Sequence, residues 1–264
     1  MANEAFLGSW RAAATRAITC GGDGGTSRRY GLGAFSVNAM LRRLALAGAV
    51  LLMGLVVTIG RGGLAAAKEP VRLMILGDSL TAGYGLAEGD AFVARLQAAL
   101  HAEGYAVAVI DAGASGDTTA GGLARLPWLL GGPPESLPNA VMVELGGNDG
   151  LRGLGTEAMY ANLDAILTLL ADRGLPALLT GMKAPPNLGA EYGRAFEAVF
   201  HRLADKHDVP LYPFFLEGVA LVPGLNQPDG IHPNAAGVDE IVRRILPATK
   251  SFLDSLPVSA AAAR

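Results

Sequence analysis

The residues in this sequence that are best suited to catalysis are a serine that follows an apolar run and an aspartate–histidine pair near the C-terminus. Ser79 comes after the apolar run 74–76, a glycine and an aspartate. A run without polar alternation is typical of a strand buried on both faces of a parallel sheet, and ligands bind beyond the carboxyl ends of such strands. A serine in this position more often caps a helix than attacks a substrate, so Ser79 alone indicates little.

The aspartate–histidine pair lies in residues 227–235. Asp229 precedes His232 by three residues, close enough in a turn for the carboxylate to accept from one ring nitrogen while the other faces outward. This arrangement fixes the tautomer and supports an imidazolium, as the carboxylate of a Ser-His-Asp triad does. A metal site could also use the pair, but no third ligand accompanies them, since the other histidines lie on predicted helices. Pro233 and Asn234 predict the start of the last helix.

A first glycine-rich stretch, residues 111–119, follows the second apolar run. Its small residues allow the backbone to approach a ligand closely, and the N–H of Gly116 could donate to it. The alternative is a glycine turn in which Asp117 or Thr118 caps the next helix.

A second glycine-rich stretch, residues 146–150, follows the third apolar run. Its Asn-Asp-Gly sequence is typical of a hairpin turn, but a helical pattern follows it and leaves a hairpin without a partner strand. Asn148 is therefore expected at the carboxyl edge of the sheet with its side-chain amide free to donate. Catalysis by a serine nucleophile needs such a donor for the oxyanion of the tetrahedral intermediate.

The composition limits the classes of protein to which the chain can belong. It has 264 residues, 51% of them hydrophobic, which is enough for one sizeable core, and its formal net charge is −3. The mild acidity and the lack of a Lys/Arg cluster in the central region argue against nucleic acid as the main partner. The only cysteine, Cys20, lies upstream of the region that is predicted to fold, so that region has no disulfide framework or cysteine metal site.

The elements that must position these residues are predicted by alternating apolar and amphipathic stretches. Apolar runs predict strands at residues 72–76, 106–110, 140–145, 177–180 and, weakly, 209–212. Apolar residues at helical spacing predict helices around 92–100, 159–170, 192–203 and 238–246, the last interrupted by Pro247. Strands that alternate with helices predict parallel strands with helices on both faces. The expected fold is α/β, a single doubly wound three-layer αβα sandwich.

The N-terminal part of the chain has the order of an export signal. Residues 1–39 show no helical or strand period and are interpreted as an unstructured extension or a mis-assigned start. Residues 40–67 begin with a positive region that contains Arg42 and Arg43, continue with an uncharged apolar run and end with an Ala-x-Ala site, which predicts a secretory signal peptide cleaved after Ala67. The alternative is an N-terminal membrane anchor. The folded domain is then expected at 68–256, followed by a disordered tail at 257–264.

Four stretches of the chain resemble, in the same order, the sequence blocks of the SGNH, or GDSL, hydrolase family. The matching residues are Gly77-Asp78-Ser79-Leu80, Gly116, Gly146-x-Asn148-Asp149 and Asp229-x-x-His232. Longer strings at 76–85, 115–118, 122–126 and 143–153 resemble the branch of exported bacterial thioesterases, lysophospholipases and arylesterases. The resemblance covers about residues 71–248, and only the N-terminal extension departs from the pattern.

The resemblance implies a serine esterase with a flavodoxin-like SGNH hydrolase fold. Ser79 would attack an acyl carbonyl after His232 takes its proton, and Asp229 would orient His232. The backbone N–H groups of Ser79 and Gly116 and the amide of Asn148 would hold the oxyanion, and an acyl-enzyme would form without a metal or organic cofactor. The implied substrates are small acyl esters and thioesters, including lysophospholipids, with a lipid or membrane surface as a further candidate partner; the oligomeric state is left open.

One other activity and two classes of binding domain remain as alternatives. A carbohydrate O-deacetylase of the same family would be expected to carry aromatic and polar residues near its pocket, whereas these loops are rich in Gly, Leu and Pro. A non-catalytic ligand-binding αβα domain would be expected to lose Ser79 or His232. A nucleotide- or flavin-binding domain would carry Gly-x-Gly-x-x-Gly after the first strand, which this chain lacks.

Several neighbours of the candidate residues have expected structural roles. Asp78 and Asp149 are expected to anchor turns and not to react. Residues 151–155 are either a mobile flap over an acyl chain or an ordinary loop. Residues 183–189 should border the site because they follow the fourth strand.

Overall fold

The computed structural model describes residues 69–257 of the chain. The predicted extension (1–39), the predicted signal peptide (40–67) and all but the first residue of the predicted tail (257–264) lie outside the described residues. Within 69–257, no helix combines the length and the apolar character that crossing a membrane requires.

One parallel sheet of five strands organises the described region. The strands are β1 (Val71–Gly77), β2 (Val107–Gly113), β3 (Ala140–Glu144), β4 (Ala177–Thr180) and β5 (Leu211–Tyr212). Their order across the sheet is β2-β1-β3-β4-β5, and every adjacent pair is parallel. The strands begin and end close to the predicted apolar runs, and the weak fifth run forms a strand of only two residues.

Helices cover both faces of this sheet. They are α1 (Ser79–Ala82), α2 (Phe92–Ala102), α3 (Thr119–Leu129), α4 (Gly147–Leu151), α5 (Thr156–Asp172), α6 (Ala190–His207) and α7 (Ala235–Ser255). Right-handed crossovers put α2, which connects β1 to β2, on the face opposite to the helices that connect β2 through β5. The packing agrees, because α2 packs against α7 while α5 packs against α3 and α6. The predicted αβα sandwich is confirmed, with the flavodoxin-like strand order.

The core lies on both faces of the central strands. All five residues of β3 and all four of β4 are buried, as are the last five of β1. Helices contribute the rest of the core through the apolar stripes that the sequence shows, such as Phe196, Phe200 and Leu203 on α6. The continuous apolar runs are therefore explained by burial on two faces.

The last helix differs from the sequence expectation, because α7 continues through Pro247 to Ser255. A proline inside a helix removes one hydrogen bond and costs about 3 kcal/mol relative to alanine. Beyond Pro247, however, the helix buries Phe252 and Leu253, which are 4% and 8% exposed. Burying two such side chains contributes about 1.5–3 kcal/mol each, so the packing outweighs the interruption.

The strand order fixes where a site can form. From β1 the chain goes first to β2 on one side and later to β3 on the other, so the loops leaving β1, β2 and β3 diverge around one crevice. Gly77 at the end of β1 is level with Gly113 of β2 and with Glu144 of β3. The segments that follow these three residues therefore meet at the same edge of the sheet.

Candidate active site

The turn that carries the candidate nucleophile, residues 77–79, joins β1 directly to α1 and is called the nucleophile turn below. Asp78 caps this short helix, and its Oδ1 accepts from the N–H of Leu80 at 3.0 Å. Gly77 is needed because a Cβ there would overlap the Thr81 side chain. The capping role that the sequence allowed for Ser79 belongs to Asp78, and Ser79 is the first residue of α1.

A tight loop presents the histidine. The Oδ1 of Asp229 accepts from the backbone N–H groups of Ile231 and His232 at 2.9 and 3.0 Å, and its Oδ2 faces Nδ1 of His232 at 2.7 Å. The N–H of Gln227 donates to the His232 carbonyl at 2.7 Å and closes the loop. Donation first from the His232 N–H, then from its ring and from Ile231, lowers the pKa of Asp229 to about 2.

The histidine in turn meets the serine. Nε2 of His232 lies 2.9 Å from Oγ of Ser79. Because the ionised Asp229 can only accept, Nδ1 carries the ring hydrogen and Nε2 is left as the acceptor for the Ser79 proton. The ring of Tyr84 packs on the imidazole with the centroids 4.5 Å apart. No sequence pattern predicted this contact, since Tyr84 belongs to no periodic stretch.

The candidate oxyanion donors converge near Ser79. Gly116 has φ +85°, a left-handed conformation that an L side chain adopts at a cost. Among the described residues, the backbone N–H groups of Ser79 and Gly116 have no hydrogen-bond acceptor. Thr118 caps α3 by accepting from the N–H of Gly121 at 3.3 Å, so the alternative expectation of a helix cap in this stretch also holds.

Asn148 lies in α4 at the edge of the sheet, but its amide is not free as expected. Its Nδ2 donates to Oδ2 of Asp78 at 3.0 Å and to the Asp117 carbonyl at 2.9 Å. The short helix after β3 turns the side chain back towards the nucleophile turn, and both amide hydrogens find acceptors there. Donation to an oxyanion therefore has to share or replace one of these bonds.

Further polar contacts hold the loops around the site. Arg125 of α3 donates to Oδ2 of Asp117 at 2.6 Å and to the Gly77 carbonyl at 2.8 Å. Arg152 donates to the Gly116 carbonyl at 2.8 Å. No local pattern indicated a role for either arginine, because the two glycine carbonyls are distant in sequence and Asp117 lies before the helix that carries Arg125.

Three carboxyl side chains are buried beneath these loops. Asp149 accepts from the N–H and hydroxyl of Thr119 at 2.8 and 2.6 Å, so it anchors a turn as expected. Glu144 is fully buried, with Oε2 3.5 Å from the N–H of Asp78, and burial raises its pKa well above the usual range. Burial likewise raises the pKa of Asp78 to about 6. A lone carboxyl inside the run 140–145 was the signal available for Glu144.

A mainly apolar cleft opens beside Ser79. Besides the nucleophile turn and Asn148, its lining includes Leu151, Met182, Lys183, Pro185, Leu216 and Ile231. Lys183 and Pro185 confirm that the segment after β4 borders the site. Leu151 begins the stretch interpreted as a flap or an ordinary loop, and its motion stays a prediction.

Known proteins resemble this chain over the same region. The GDSL-like lipase/acylhydrolase family matches residues 75–239. Esterase TesA of Pseudomonas aeruginosa is 44% identical over 181 residues, which cover 69% of this chain and 89% of that protein. Thioesterase 1/protease 1/lysophospholipase L1 of Escherichia coli K12 is 44% identical over 162 residues, 61% of this chain and 75% of that protein. The crystal structure of AlinE4, an SGNH-hydrolase family esterase, is 48% identical with a TM-score of 0.59, covering 70% of this chain and 97% of that one.

Proposed function

This chain belongs to the GDSL-like lipase/acylhydrolase family, and we propose that it hydrolyses acyl esters and thioesters through an acyl-enzyme formed on Ser79. The observation that carries the proposal is the 2.9 Å separation of Ser79 Oγ and His232 Nε2. It is extended by the 2.7 Å contact between His232 Nδ1 and Asp229 Oδ2. Together these contacts support a Ser-His-Asp triad.

Acylation begins when Ser79 Oγ attacks the carbonyl carbon and His232 Nε2 takes the hydroxyl proton. The imidazolium is stabilised by Asp229, whose low pKa keeps it ionised. The tetrahedral intermediate collapses when the bond to the leaving oxygen or sulfur breaks, and His232 returns its proton to that atom. Water activated by His232 then attacks the acyl-enzyme and releases the acid.

The oxyanion of each tetrahedral intermediate needs preorganised donors. The free N–H groups of Ser79 and Gly116 are two of them. We assign the third to Asn148, whose amide exchanges or shares one of its present bonds as the negative charge develops. Preorganisation matters because donors already aimed at the charge need no reorganisation during the reaction.

The cleft favours acyl groups over sugars as the bound part of the substrate. Its lining is mainly apolar, with Leu151, Met182, Leu216 and Ile231 near Ser79. Relatives carry the names esterase and thioesterase/lysophospholipase, so lysophospholipids and other lipid esters are proposed substrates. We further propose that residues 40–67 direct export and are removed, so that the enzyme acts outside the cytoplasm.

A fluorophosphonate probe tests the nucleophile. The probe should label Ser79, and Ser79→Ala should abolish both labelling and ester hydrolysis. Ser136→Ala is the matched control, because Ser136 is exposed and lies just before β3 at the opposite edge of the sheet. Labelling that maps to Ser115, beside Gly116, would rule out the assignment.

A series of p-nitrophenyl esters and acyl thioesters of increasing chain length tests the substrate class. With the protein that begins at Lys68, kcat/KM should rise from acetyl to longer acyl groups, since each CH₂ that the cleft buries contributes about 0.8 kcal/mol. A preference for acetyl esters would contradict the proposal and favour the O-deacetylase alternative.

A further inference from the structure

The aspartate of the nucleophile turn has a contact that its capping role does not require. Asp78 is 1% exposed, and its Oδ1 accepts from Leu80 as a helix cap does. Its other oxygen, Oδ2, accepts from the Asn148 amide at 3.0 Å. Capping a four-residue helix needs one oxygen, so the second is available for a separate task.

That second contact determines how the Asn148 amide is held. A side-chain amide rotates about two bonds, and its nitrogen must face the oxyanion for Asn148 to donate. The Asp117 carbonyl holds one hydrogen at 2.9 Å, and the Asp78 carboxylate holds the other. A bond to an ionised acceptor is roughly twice as strong as one between neutral groups, so Asp78 is the stronger of the two restraints.

We propose that Asp78 is a positioning residue that fixes the Asn148 amide for oxyanion binding. The inference rests on the proposed function, in which Asn148 is the third oxyanion donor. Asp78 touches neither the substrate nor the attacking oxygen in this role. It acts through Asn148 alone.

The role requires an ionised carboxylate, and its surroundings make that ionisation pH-dependent. Burial is the largest influence on the pKa of Asp78 and raises it to about 6, and the nearby Asp117 also raises it. Hydrogen bonds from the Leu80 N–H and the Asn148 amide, and the nearby His232, lower it. Glu144 also faces Asp78 from β3. Below that pKa the carboxyl group of Asp78 is protonated and is no longer a charged acceptor for the Asn148 amide, so the amide loses its restraint as the pH falls.

A double-mutant cycle on kcat tests the coupling. Asp78→Asn keeps an oxygen for Leu80 but presents an N–H to the Asn148 amide, so kcat should fall about 10- to 100-fold, up to the loss expected for a missing oxyanion donor, with little change in KM. In the Asn148→Ala background, the same substitution should change kcat by less than about twofold. Multiplicative losses would overturn the inference.

Asp149→Asn provides the matched control. Asp149 is also buried, at 2% exposed, but it accepts from Thr119 and has no contact with the Asn148 amide. Its effect should multiply with that of Asn148→Ala. If it is equally non-additive, the coupling reflects general disturbance of the loop, and the specific role of Asp78 is wrong.

The pH dependence of kcat gives a second test that does not need a folded Asp78 variant. In the unsubstituted enzyme, protonation of Asp78 should add a further 10- to 100-fold loss of kcat to the loss caused by protonation of the catalytic base, so log kcat should fall with a slope steeper than one as the pH drops through about 6. Asn148→Ala should remove this extra loss, so that the slope is no steeper than one. Equal slopes would overturn the inference, whereas an unchanged kcat in Asn148→Ala would instead reject Asn148 as a donor and so contradict the proposed function.

Discussion

At the residue scale, the site holds two aspartates whose pKa values move in opposite directions. Backbone and ring N–H groups lower the pKa of Asp229 to about 2, whereas burial raises that of Asp78 to about 6. Asp229 therefore stays ionised over the whole pH range in which a histidine base can work, as its proposed role in orienting His232 requires. Asp78 changes its charge within that range.

Asn148→Ala should lower kcat by about 10²–10³, the usual effect of losing one preorganised oxyanion donor. KM should change much less, because the donor acts mainly on the transition state. The substitution also removes the bond to the Asp117 carbonyl, which contributes about 1 kcal/mol, and the bond to the Asp78 carboxylate, which contributes about 1.5–3 kcal/mol. A decrease in melting temperature is therefore expected without loss of the fold. A kcat within about twofold of the unsubstituted enzyme would make Asn148 only a turn residue.

Asp78→Asn should change the pH dependence of stability. Burial raises the pKa of Asp78 from 3.8 in the unfolded chain to about 6 in the folded protein. The neutral carboxyl therefore stabilises the fold fully below pH 3.8, and this stabilisation is lost as the pH rises through about 6. At about 1.4 kcal/mol per pKa unit, the variant should gain about 2 kcal/mol relative to the unsubstituted protein between about pH 4 and pH 8, because part of the effect is already lost at pH 4. Urea unfolding at both pH values measures this difference. A difference that does not vary with pH would show that Asp78 ionises as freely as in the unfolded chain.

The main residues of the candidate site can be predicted from residue types and spacing, but the contacts that hold those residues in place cannot. Ser79, Asp229, His232, Gly116 and Asn148 were all identified from short patterns, and the structure brings them to one edge of the sheet. The contacts of Tyr84 with His232 and of Arg125 with Gly77 join distant segments. Such contacts depend on how strands pair, so no local pattern contains them.

At the element scale, the ends of three parallel strands bring the site together. Gly77, Gly113 and Glu144 are level across the sheet, so the loops that carry Ser79, Gly116 and Asn148 start side by side. Apolar runs and stripes predicted most of these elements. The stripe patterns did not predict α3, whose sequence contains two glycines and Pro127, because those residues weaken the helical signal.

Pro247→Ala should stabilise α7. Pro247 is exposed within the helix, so alanine restores a backbone hydrogen bond without removing core packing. The free energy of unfolding should rise by about 1–3 kcal/mol, with kcat unchanged. Thermal unfolding measures the change.

Pro134→Ala is the control for this prediction. Pro134 is the first residue of a short 3₁₀ helix, where a proline is well suited and no intrahelical bond is missing. Its replacement should not stabilise the protein. Equal effects at the two positions would indicate that unfolded-state entropy, and not the interrupted helix, decides the outcome.

At the scale of the whole molecule, the fold places the candidate site at the switch point of a doubly wound sheet. The strand order β2-β1-β3-β4-β5 puts β1, which leads to Ser79, between the strands that lead to the proposed oxyanion donors Gly116 and Asn148. The alternation of strands and helices predicts parallel strands with two helical layers. It does not determine the order of the strands, because periodicity records burial and not which strand is the neighbour.

Export should leave a mature enzyme that begins near Lys68. The order of positive, apolar and small residues in 40–67 is that of a cleavable signal. N-terminal sequencing of the enzyme recovered from the periplasm or medium of a bacterial host measures the start directly. Recovery of uncleaved residues 44–59 in the membrane fraction would support an anchor instead.

The central claim is that an acyl group passes through Ser79, and trapping the acyl-enzyme tests it most directly. The enzyme is mixed with a p-nitrophenyl ester, quenched with acid within the first turnover, digested and mapped by mass spectrometry. If the acyl group is transferred to Ser79, a burst of p-nitrophenol and the added acyl mass on the Ser79 peptide are expected, and both should be absent in Ser79→Ala. An acyl group on another residue, or unchanged turnover in Ser79→Ala, would contradict it.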